Sequence, residues 1–151
     1  MPTMNFRPLV SSDYPLLLDW LQRSHVKEWW DDGDDTLENV SEHYSTDPDT
    51  TKRFIVELAG EPVGFIQYAL QGEERISLDL FLAQEEQLSH GHGTDCLKAF
   101  VALVADRESV ALFTVDPHPR NKRAIRCYEK CGFQVDPVRS TPSVCLMSRP
   151  S

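Results

Sequence analysis

The sequence predicts one mixed α/β domain over residues 1–151, and three observations lead to this class. A chain of 151 residues with 40% hydrophobic residues has the size of one ordinary domain that can bury a core without disulfides or metal. Apolar alternation over residues 52–83 is typical of antiparallel strands. Beyond it, short apolar strands alternate with segments of helical periodicity, without repeats or linkers. We therefore expect antiparallel strands first and a strand-helix-strand-helix order afterwards.

The first half begins with a predicted short strand at residues 5–8, followed by two predicted amphipathic helices. Ser11, Ser12 and Asp13 are candidate caps for the first helix, and the second begins near Asp35. Their apolar faces comprise Leu17, Trp20 and Leu21 in the first helix and Leu37, Val40 and Tyr44 in the second.

Three strands are predicted next, at residues 52–59, 62–70 and 75–83, with turns at Gly60-Glu61 and at residues 71–74. The first of them places Phe54, Val56 and Leu58 on one face, whereas the third carries Asp79 within the apolar run RISLDLFLA. A carboxylate there is costly unless it lies at a cleft or has a partner. Asp79 is therefore a candidate site residue, the alternative being a carboxylate on the solvent face of the strand.

In the second half, the segment LSHGHGT (Leu88–Thr94) precedes a predicted helix at 94–106, whose Leu97, Phe100, Val101 and Val104 recur at helical spacing. A glycine loop between a strand and a helix favours anion binding, because the first N–H groups of a helix have no internal partners. His-x-His also binds zinc, but further ligands at a recognised spacing are missing, so no metal is predicted.

The chain ends with a predicted strand at residues 110–115, a break at Asp116-Pro117, a helix from Asn121 to Cys131 and a last strand from Phe133. Gly132 is the predicted cap of that helix. The chain has four cysteines, Cys96, Cys127, Cys131 and Cys145. They contain no C-x-x-C pair, and we expect reduced, unreactive thiols.

A net charge of -9 and a pI of about 4.9 argue against nucleic acid and anionic membranes as partners and favour a cationic one. No apolar run is long enough to span a membrane, and the N-terminus does not resemble a signal peptide, so a cytoplasmic protein is expected. The segment EWWDDGDD (residues 28–35) is interpreted as a wall, with Trp29 and Trp30, that stacks on a cationic ligand. The alternative is a solvated acidic loop; the ligand spacing of a calcium loop is absent.

The pattern Asn121-x-x-Ala124-x-x-x-Tyr128-x-x-x-Gly132-Phe133, together with the glycine loop some thirty residues earlier, resembles the GCN5-related N-acetyltransferases (GNAT). This family transfers an acetyl group from acetyl-CoA to an amine. The resemblance implies a mixed central sheet flanked by helices, with two parallel strands that splay apart to admit the cofactor. Gly91 and Gly93 match the family's loop pattern, whereas Leu88 replaces its usual Gln or Arg.

By this resemblance, acetyl-CoA is the co-substrate and its pyrophosphate lies over residues 88–94. The seven residues of that segment are Leu88, Ser89, His90, Gly91, His92, Gly93 and Thr94. The pantetheine would pair with the strand edge at Phe81 and Leu82, and Asn121 would hydrogen-bond to the cofactor. For Asn121, the alternative is a helix N-cap.

Within the family, the segments RSHVKEWW, LDLFLA and VDPHPRNKRAIRCYEKCGF are similar to those of aminoglycoside 6'-N-acetyltransferases. This implies that Asp79 lies beside the reacting amine and that Asp116 binds the cationic substrate, together with Trp29 and Trp30. Tyr128 would donate a proton to the departing CoA thiolate. We expect direct transfer without an acetyl-cysteine, and a monomer or a homodimer.

One departure concerns the connection ALQGEER, which is shorter than the acidic, aromatic-rich insertion of the drug-modifying enzymes. Three alternatives therefore stay open. These are an acyltransferase of a siderophore pathway that modifies a hydroxylated lysine, a CoA-binding sensor without turnover, and a binding module for cationic peptides.

Overall fold

The computed structural model of the protein describes residues 4–30, 33–45, 50–84 and 91–150. The strands are β1 (Met4–Pro8), β2 (Thr51–Leu58), β3 (Glu61–Gln71), β4 (Arg75–Leu82), β5 (Leu112–Val115), β6 (Gln134–Val135) and β7 (Met147–Pro150). The helices are α1 (Tyr14–Gln22), α2 (Ser24–Lys27), α3 (Leu37–Ser45), α4 (His92–Arg107) and α5 (Lys122–Lys130), with a 3-10 turn at Ser11–Asp13 before α1. The sheet has the strand order β1-β2-β3-β4-β5-β7-β6, which confirms the predicted mixed α/β class.

Contacts divide the chain into two units, residues 1–67 with 80–85 and residues 68–79 with 86–151. These are called the first and the second unit below. Among the described residues, none of the helices combines the length and the hydropathy that a membrane crossing requires.

The first unit is built on the antiparallel pair of β1 and β2, in which Met4 faces Leu58 and Pro8 faces Phe54. Its core contains apolar side chains from α1, α2, α3 and the strands, including Trp20, Val40, Ile55, Phe65 and Phe81. At Gly64 of β3, an added Cβ would lie 2.5 Å from the carbonyl oxygen of Phe81, so no other residue fits here without a shift of the backbone.

In the second unit, β4 and β5 are parallel and pair over Arg75–Ser77 and Leu112–Thr114. The strand β4 continues to Leu82, beyond this pairing. The other edge of β5 pairs antiparallel with β7, which also pairs with β6. Pairing between these parallel strands ends at Ser77 and Thr114, at the place where the family resemblance leads us to expect a splay.

Three local features go beyond the sequence predictions or differ from them. Asp13 is the N-cap residue of α1, as predicted, but its carboxylate accepts hydrogen bonds from the Arg7 guanidinium (2.8 Å) and the Val10 N–H (2.9 Å) and from no N–H group of the helix. In β2, Phe54 and Val56 are buried, and Ile55 between them is buried too, so this strand has apolar contacts on both faces. The helix α4 begins at His92, so Gly93 lies buried in its first turn and not in a loop.

Candidate active site

Two carboxylates follow the point where β4 and β5 stop pairing. The last pair joins Ser77 to Thr114, so Asp79 and Asp116 each lie two residues further along the chain. Asp79 is partly exposed on β4, and Asp116 is exposed just after β5. The surrounding protein nevertheless raises the pKa of Asp116 above its ordinary value through desolvation. Asp116 thus follows the carboxyl end of β5, and Asp79 lies on the part of β4 that extends beyond this pairing, the side on which open α/β sheets bind ligands.

Tyr128 of α5 lies within electrostatic reach of both carboxylates. Only 8% of its surface is exposed, and its ring packs edge-on against Phe133 with centroids 5.9 Å apart. Burial raises the pKa of the Tyr128 phenol, and the negative charge of Asp79 raises it further. The phenol is therefore a weaker acid than its ordinary pKa near 10 suggests. It remains protonated at neutral pH and serves better as a hydrogen-bond donor than as a source of a fully transferred proton.

The first turn of α4 offers main-chain donors. Gly91 is the N-cap residue, with φ 76° and no side-chain capping bond. This left-handed conformation favours glycine, and a Cβ added there would meet no described atom within 4 Å. The N–H groups of His92, Gly93 and Thr94 lie at the positive end of a helix of 16 residues. Such a helix start fits an anion.

Asn121 is the N-cap residue of α5, and its Oδ1 accepts a hydrogen bond from the Ala124 N–H at 3.3 Å. The alternative interpretation of this residue is therefore confirmed. The cap uses one of the two lone pairs of Oδ1 and leaves the Nδ2 amide hydrogens uninvolved in capping, so Asn121 can cap the helix and still donate a hydrogen bond.

Thr94 of α4 forms hydrogen bonds with two cysteines at the end of α5. Its hydroxyl donates to the Cys127 sulfur at 3.6 Å, and the Cys131 thiol donates to the Thr94 carbonyl oxygen at 3.5 Å. The sequence suggested unreactive thiols here. The i,i+4 spacing of the two cysteines was the signal for their proximity, but it did not indicate Thr94 as their shared partner.

In the first unit, Phe81 and Leu82 are buried, with 8% and 2% of their surfaces exposed. The Leu82 carbonyl contacts His25 Nε2 at 2.9 Å, and since a carbonyl only accepts, Nε2 carries the proton in this contact. Arg23 donates to the carbonyl of Ala83 at 2.8 Å. Sequence reasoning missed Arg23 and His25 as supports for the end of β4, although both lie in the stretch RSHVKEWW.

The two tryptophans differ in environment. Trp29 is 41% exposed, whereas Trp30 packs edge-on against Phe65 (5.9 Å between centroids) and Phe81 (5.2 Å). The Trp30 indole N–H is buried and finds no acceptor within the part of the chain that the structure describes. Trp30 is therefore a core residue, whereas Trp29 is accessible from the surface.

The acidic segment is partly neutralised by its own neighbours. Asp34 is 8% exposed and contacts His43 Nδ1 at 2.8 Å, and Asp35 accepts a hydrogen bond from Lys27 at 2.6 Å. These two carboxylates therefore have partners of their own and contribute less to a cation-binding wall than the sequence suggested.

Asp31, Asp32 and the loop residues Leu88, Ser89 and His90 lie outside the described residues. Within residues 4–30, 33–45, 50–84 and 91–150, no cluster of three or more His, Cys, Asp or Glu side chains could hold a metal ion.

The fold and these residues define a class of enzyme. Residues 10–140 match the family described as an acetyltransferase (GNAT) domain, so the chain belongs to the GNAT acetyltransferases and is an acyltransferase. This confirms the resemblance seen in the Asn121–Phe133 pattern.

Its relatives define a narrower group. The chain is 35% identical to aminoglycoside N(6')-acetyltransferase type 1 of Klebsiella pneumoniae and of Serratia marcescens, over 93% of this chain and 78% of each relative. A crystal structure of the aminoglycoside acetyltransferase AAC(6')-Ib with coenzyme A and kanamycin is similar, with a TM-score of 0.89 and 32% identity. That match covers 98% of this chain and 95% of the other. The alignment with the relatives extends over 157 positions, more than this chain's 151 residues, so they contain residues that have no counterpart here.

Proposed function

We propose that this protein transfers the acetyl group of acetyl-CoA to the 6'-amine of aminoglycosides. The observation that carries the proposal is the pair of carboxylates, Asp79 and Asp116, at the divergence of β4 and β5 within electrostatic reach of Tyr128. Two carboxylates attract a substrate with several ammonium groups. A protonated phenol can donate a hydrogen bond to the departing thiolate. The choice of the 6'-amine rests on the similarity to the aminoglycoside N(6')-acetyltransferases.

Acetyl-CoA supplies the activated thioester carbonyl. Its pyrophosphate accepts hydrogen bonds from the uncapped N–H groups at the start of α4, in front of Gly91. Asn121 donates to the cofactor through Nδ2, while its Oδ1 caps α5. The pantetheine runs along the edge of β4 toward Phe81 and Leu82. Main-chain N–H groups there face the thioester oxygen, where negative charge develops.

A primary amine attacks the thioester only when it is neutral, so its ammonium must first lose a proton. Asp79 holds the ammonium and orients it, and the proton leaves through water. The amine then forms the C–N bond, and the C–S bond breaks. Tyr128 donates a hydrogen bond to the developing thiolate. Asp116 holds a second ammonium of the substrate.

The turn between β3 and β4 bears on affinity. β3 ends at Gln71 and β4 begins at Arg75, so only three residues join them, without the longer insertion that the family resemblance implies for the drug-modifying enzymes. We expect a pocket that is more open than theirs and higher Michaelis constants for aminoglycosides.

The proposal is tested by following thiol release from acetyl-CoA with two aminoglycosides that differ only in a 6'-amine or a 6'-hydroxyl group. We expect turnover only with the aminoglycoside that carries the 6'-amine. A CoA-binding sensor would bind acetyl-CoA in calorimetry without turnover on any amine. A siderophore-pathway enzyme would acylate a hydroxylated lysine with a higher kcat/KM than any aminoglycoside. A cationic-peptide module would bind no CoA.

A further inference from the structure

The end of β4 is held at two successive carbonyl groups by side chains from the junction of α1 and α2. His25 Nε2 donates to the Leu82 carbonyl oxygen at 2.9 Å, and Arg23 donates to the Ala83 carbonyl oxygen at 2.8 Å. Arg23 is the N-cap residue of α2, and His25 lies in the first turn of that helix. Val26, the next residue, is 2% exposed and anchors the short helix in the core. These contacts all lie within the first unit.

The Leu82 carbonyl points away from β3. The Ala83 N–H donates to the carbonyl oxygen of Val63 in β3 at 2.8 Å, and the peptide bond that precedes this N–H is trans. In a trans peptide unit the C=O and N–H groups point in opposite directions, so the Leu82 carbonyl and the His25 ring lie at the edge of β4 that faces away from β3. The pantetheine runs along this same edge in the proposed function.

The N–H group of Leu82 points to that edge as well. The Phe81 carbonyl oxygen belongs to the same peptide unit as this N–H, and it lies beside Gly64 of β3, at 2.5 Å from an added Cβ. The Leu82 N–H therefore points away from β3. Leu82 thus directs both of its main-chain groups to the cofactor edge. Its carbonyl is bonded to His25, and its N–H is the group that can donate to a thioester oxygen.

The backbone on either side of Leu82 is held in different ways. Phe81 is 8% exposed and packs against three aromatic rings of the core, those of Trp20, Phe65 and Trp30. Aromatic packing thus holds the chain before Leu82, whereas His25 and Arg23 hold the two carbonyls that follow. Without His25, the peptide unit between Leu82 and Ala83 keeps the hydrogen bond at its N–H and loses the one at its carbonyl.

We propose that His25, supported by Arg23, positions the Leu82 N–H as a donor to the thioester oxygen of acetyl-CoA. This rests on the proposed function, in which the oxygen gains negative charge as the amine attacks. A main-chain donor stabilises that charge best when it is held in place before the reaction, because no free energy is then spent on turning it toward the oxygen. His25 acts through the peptide unit and is therefore a positioning residue.

Variants of His25 separate a hydrogen-bond donor from a packed ring. His25→Leu removes the donor at a similar volume, and His25→Gln places an amide N–H near the position of Nε2. With an aminoglycoside, we expect kcat to fall by about 10- to 100-fold in His25→Leu and to stay within about threefold of the wild type in His25→Gln. The dissociation constant of acetyl-CoA should change little, because the charge on the oxygen develops only in the transition state. Arg23→Met should lower kcat less, since it acts one peptide unit further along.

Gln22→Leu is a matched control. Gln22 Nε2 donates to the Asp34 carbonyl oxygen at 2.9 Å, so this change removes the same kind of contact within the same unit, at a carbonyl outside β4. Thermal unfolding measures the stability that each variant loses, and kcat of Gln22→Leu should stay near that of the wild type. Equal kcat values for His25→Leu and Gln22→Leu, or no recovery in His25→Gln, would overturn the proposal.

Two measurements without turnover test the positioning role apart from the proposed function. In the free enzyme, hydrogen exchange of the Ala83 amide should be faster in His25→Leu than in the wild type and in His25→Gln. In NMR spectra, the Leu82 amide proton should shift downfield with acetyl-CoA and not with S-ethyl-CoA, which lacks the thioester oxygen, and His25→Leu should reduce this shift.

Unchanged exchange of the Ala83 amide, or equal Leu82 shifts with the two ligands, would overturn the positioning role whether or not an aminoglycoside is acetylated. The expected Leu82 shift with acetyl-CoA, but no turnover on aminoglycosides, would overturn the proposed acceptor and leave the role of His25 in place. An enzyme that binds no acetyl-CoA in calorimetry would overturn both.

Discussion

Asp79 and Asp116 each lie two residues beyond the last residue pair of two neighbouring parallel strands, Ser77 in β4 and Thr114 in β5. Burial raises the pKa of Tyr128, and the negative charges of both carboxylates raise it further. In the proposed function, acetyl-CoA and the amine bind where this pairing ends, and the two carboxylates select a cation.

The two carboxylates should have separable effects on kinetics. Asp116→Asn should mainly raise the Michaelis constant for the amine, because it removes a charge that only binds substrate. Asp79→Asn should also lower kcat, because it removes the group that orients the reacting amine. Each loss should cost about 1.5–3 kcal/mol, the value of a hydrogen bond to a charged group. Steady-state kinetics with both substrates varied measures this, and a comparable rise in the Michaelis constant for acetyl-CoA would count against the assignment.

The capture of the amine should depend on pH and on salt. Desolvation raises the pKa of Asp116, so this carboxylate takes up a proton at a higher pH than an ordinary Asp. The Michaelis constant for an amine that stays cationic should therefore rise as the pH falls into the acid range, and less so in Asp116→Asn. Added salt should raise it as well, since charges are screened over about 8 Å at physiological ionic strength. If the Michaelis constant of Asp116→Asn rose in acid as much as that of the wild type, titration of Asp116 would not be the cause of the pH dependence.

Removal of the Tyr128 hydroxyl should lower kcat with little loss of stability. Tyr128→Phe retains the ring contact with Phe133, and the loss of a positioned donor should reduce kcat by about 10²-fold or more. Tyr68→Phe is a matched control, because the Tyr68 hydroxyl donates to Glu108 at 2.9 Å and has no part in the proposed chemistry. Equal kcat values for the two variants would remove Tyr128 from the mechanism.

A side chain at Gly91 should interfere with the cofactor. Gly91 (φ 76°) and Gly60 (φ 85°) both have left-handed backbones and no described atom within 4 Å of an added Cβ. Replacement by Ala should therefore cost each site a similar stability, about 1–2 kcal/mol. Only Gly91→Ala should raise the dissociation constant of acetyl-CoA in calorimetry, since only Gly91 precedes the N–H groups of α4. Equal binding by both variants would argue against a pyrophosphate at this helix start.

The Arg7–Asp13 pair should make stability depend on pH. Burial raises the pKa of Asp13, but the hydrogen bonds from Arg7 and the Val10 N–H outweigh this and lower it below the ordinary 3.8. A lowered pKa in the folded state means that the stabilisation is complete above that ordinary value and is lost as the pH falls through the folded value. Asp13→Asn should cost about 2 kcal/mol at neutral pH and less in acid.

Denaturant unfolding of the wild type and of Asp13→Asn, each at neutral and at acid pH, measures how the cost of the substitution changes. The control is Asp19→Asn, since Asp19 pairs with Arg23 at the surface and should contribute less than about 1 kcal/mol. A cost for Asp13→Asn that does not decrease in acid would mean that charge pairing is not its origin.

Much of the fold could be predicted, because its periodicities are local. The helix over 92–107 and the hairpin strands around Gly60 and Gly72 follow from apolar spacing and glycine turns. Burial of β2 on both faces could not be predicted, because alternation along one strand does not reveal which elements cover its second face. The start of α4 was placed two residues late, because glycine is a poor helix former and Gly93 is nevertheless helical.

Some features of the candidate site could likewise be predicted from the sequence, and others could not. Asp79 was recognisable as a carboxylate within an apolar strand, and Asn121 as a cap at a helix start. The raised pKa of Tyr128 and the contact of Thr94 with two cysteines depend on tertiary packing between segments more than thirty residues apart. No local pattern reports such contacts, so they became visible only in the folded chain.

The position of the acetyl group on kanamycin after turnover tests the proposed function most directly. The product formed from acetyl-CoA and kanamycin is purified, and NMR identifies the nitrogen that carries the new amide. We expect a single product acetylated at the 6'-nitrogen, formed far more slowly by Asp79→Asn. Acetylation at another nitrogen, or no product from an enzyme that binds acetyl-CoA, would contradict the account.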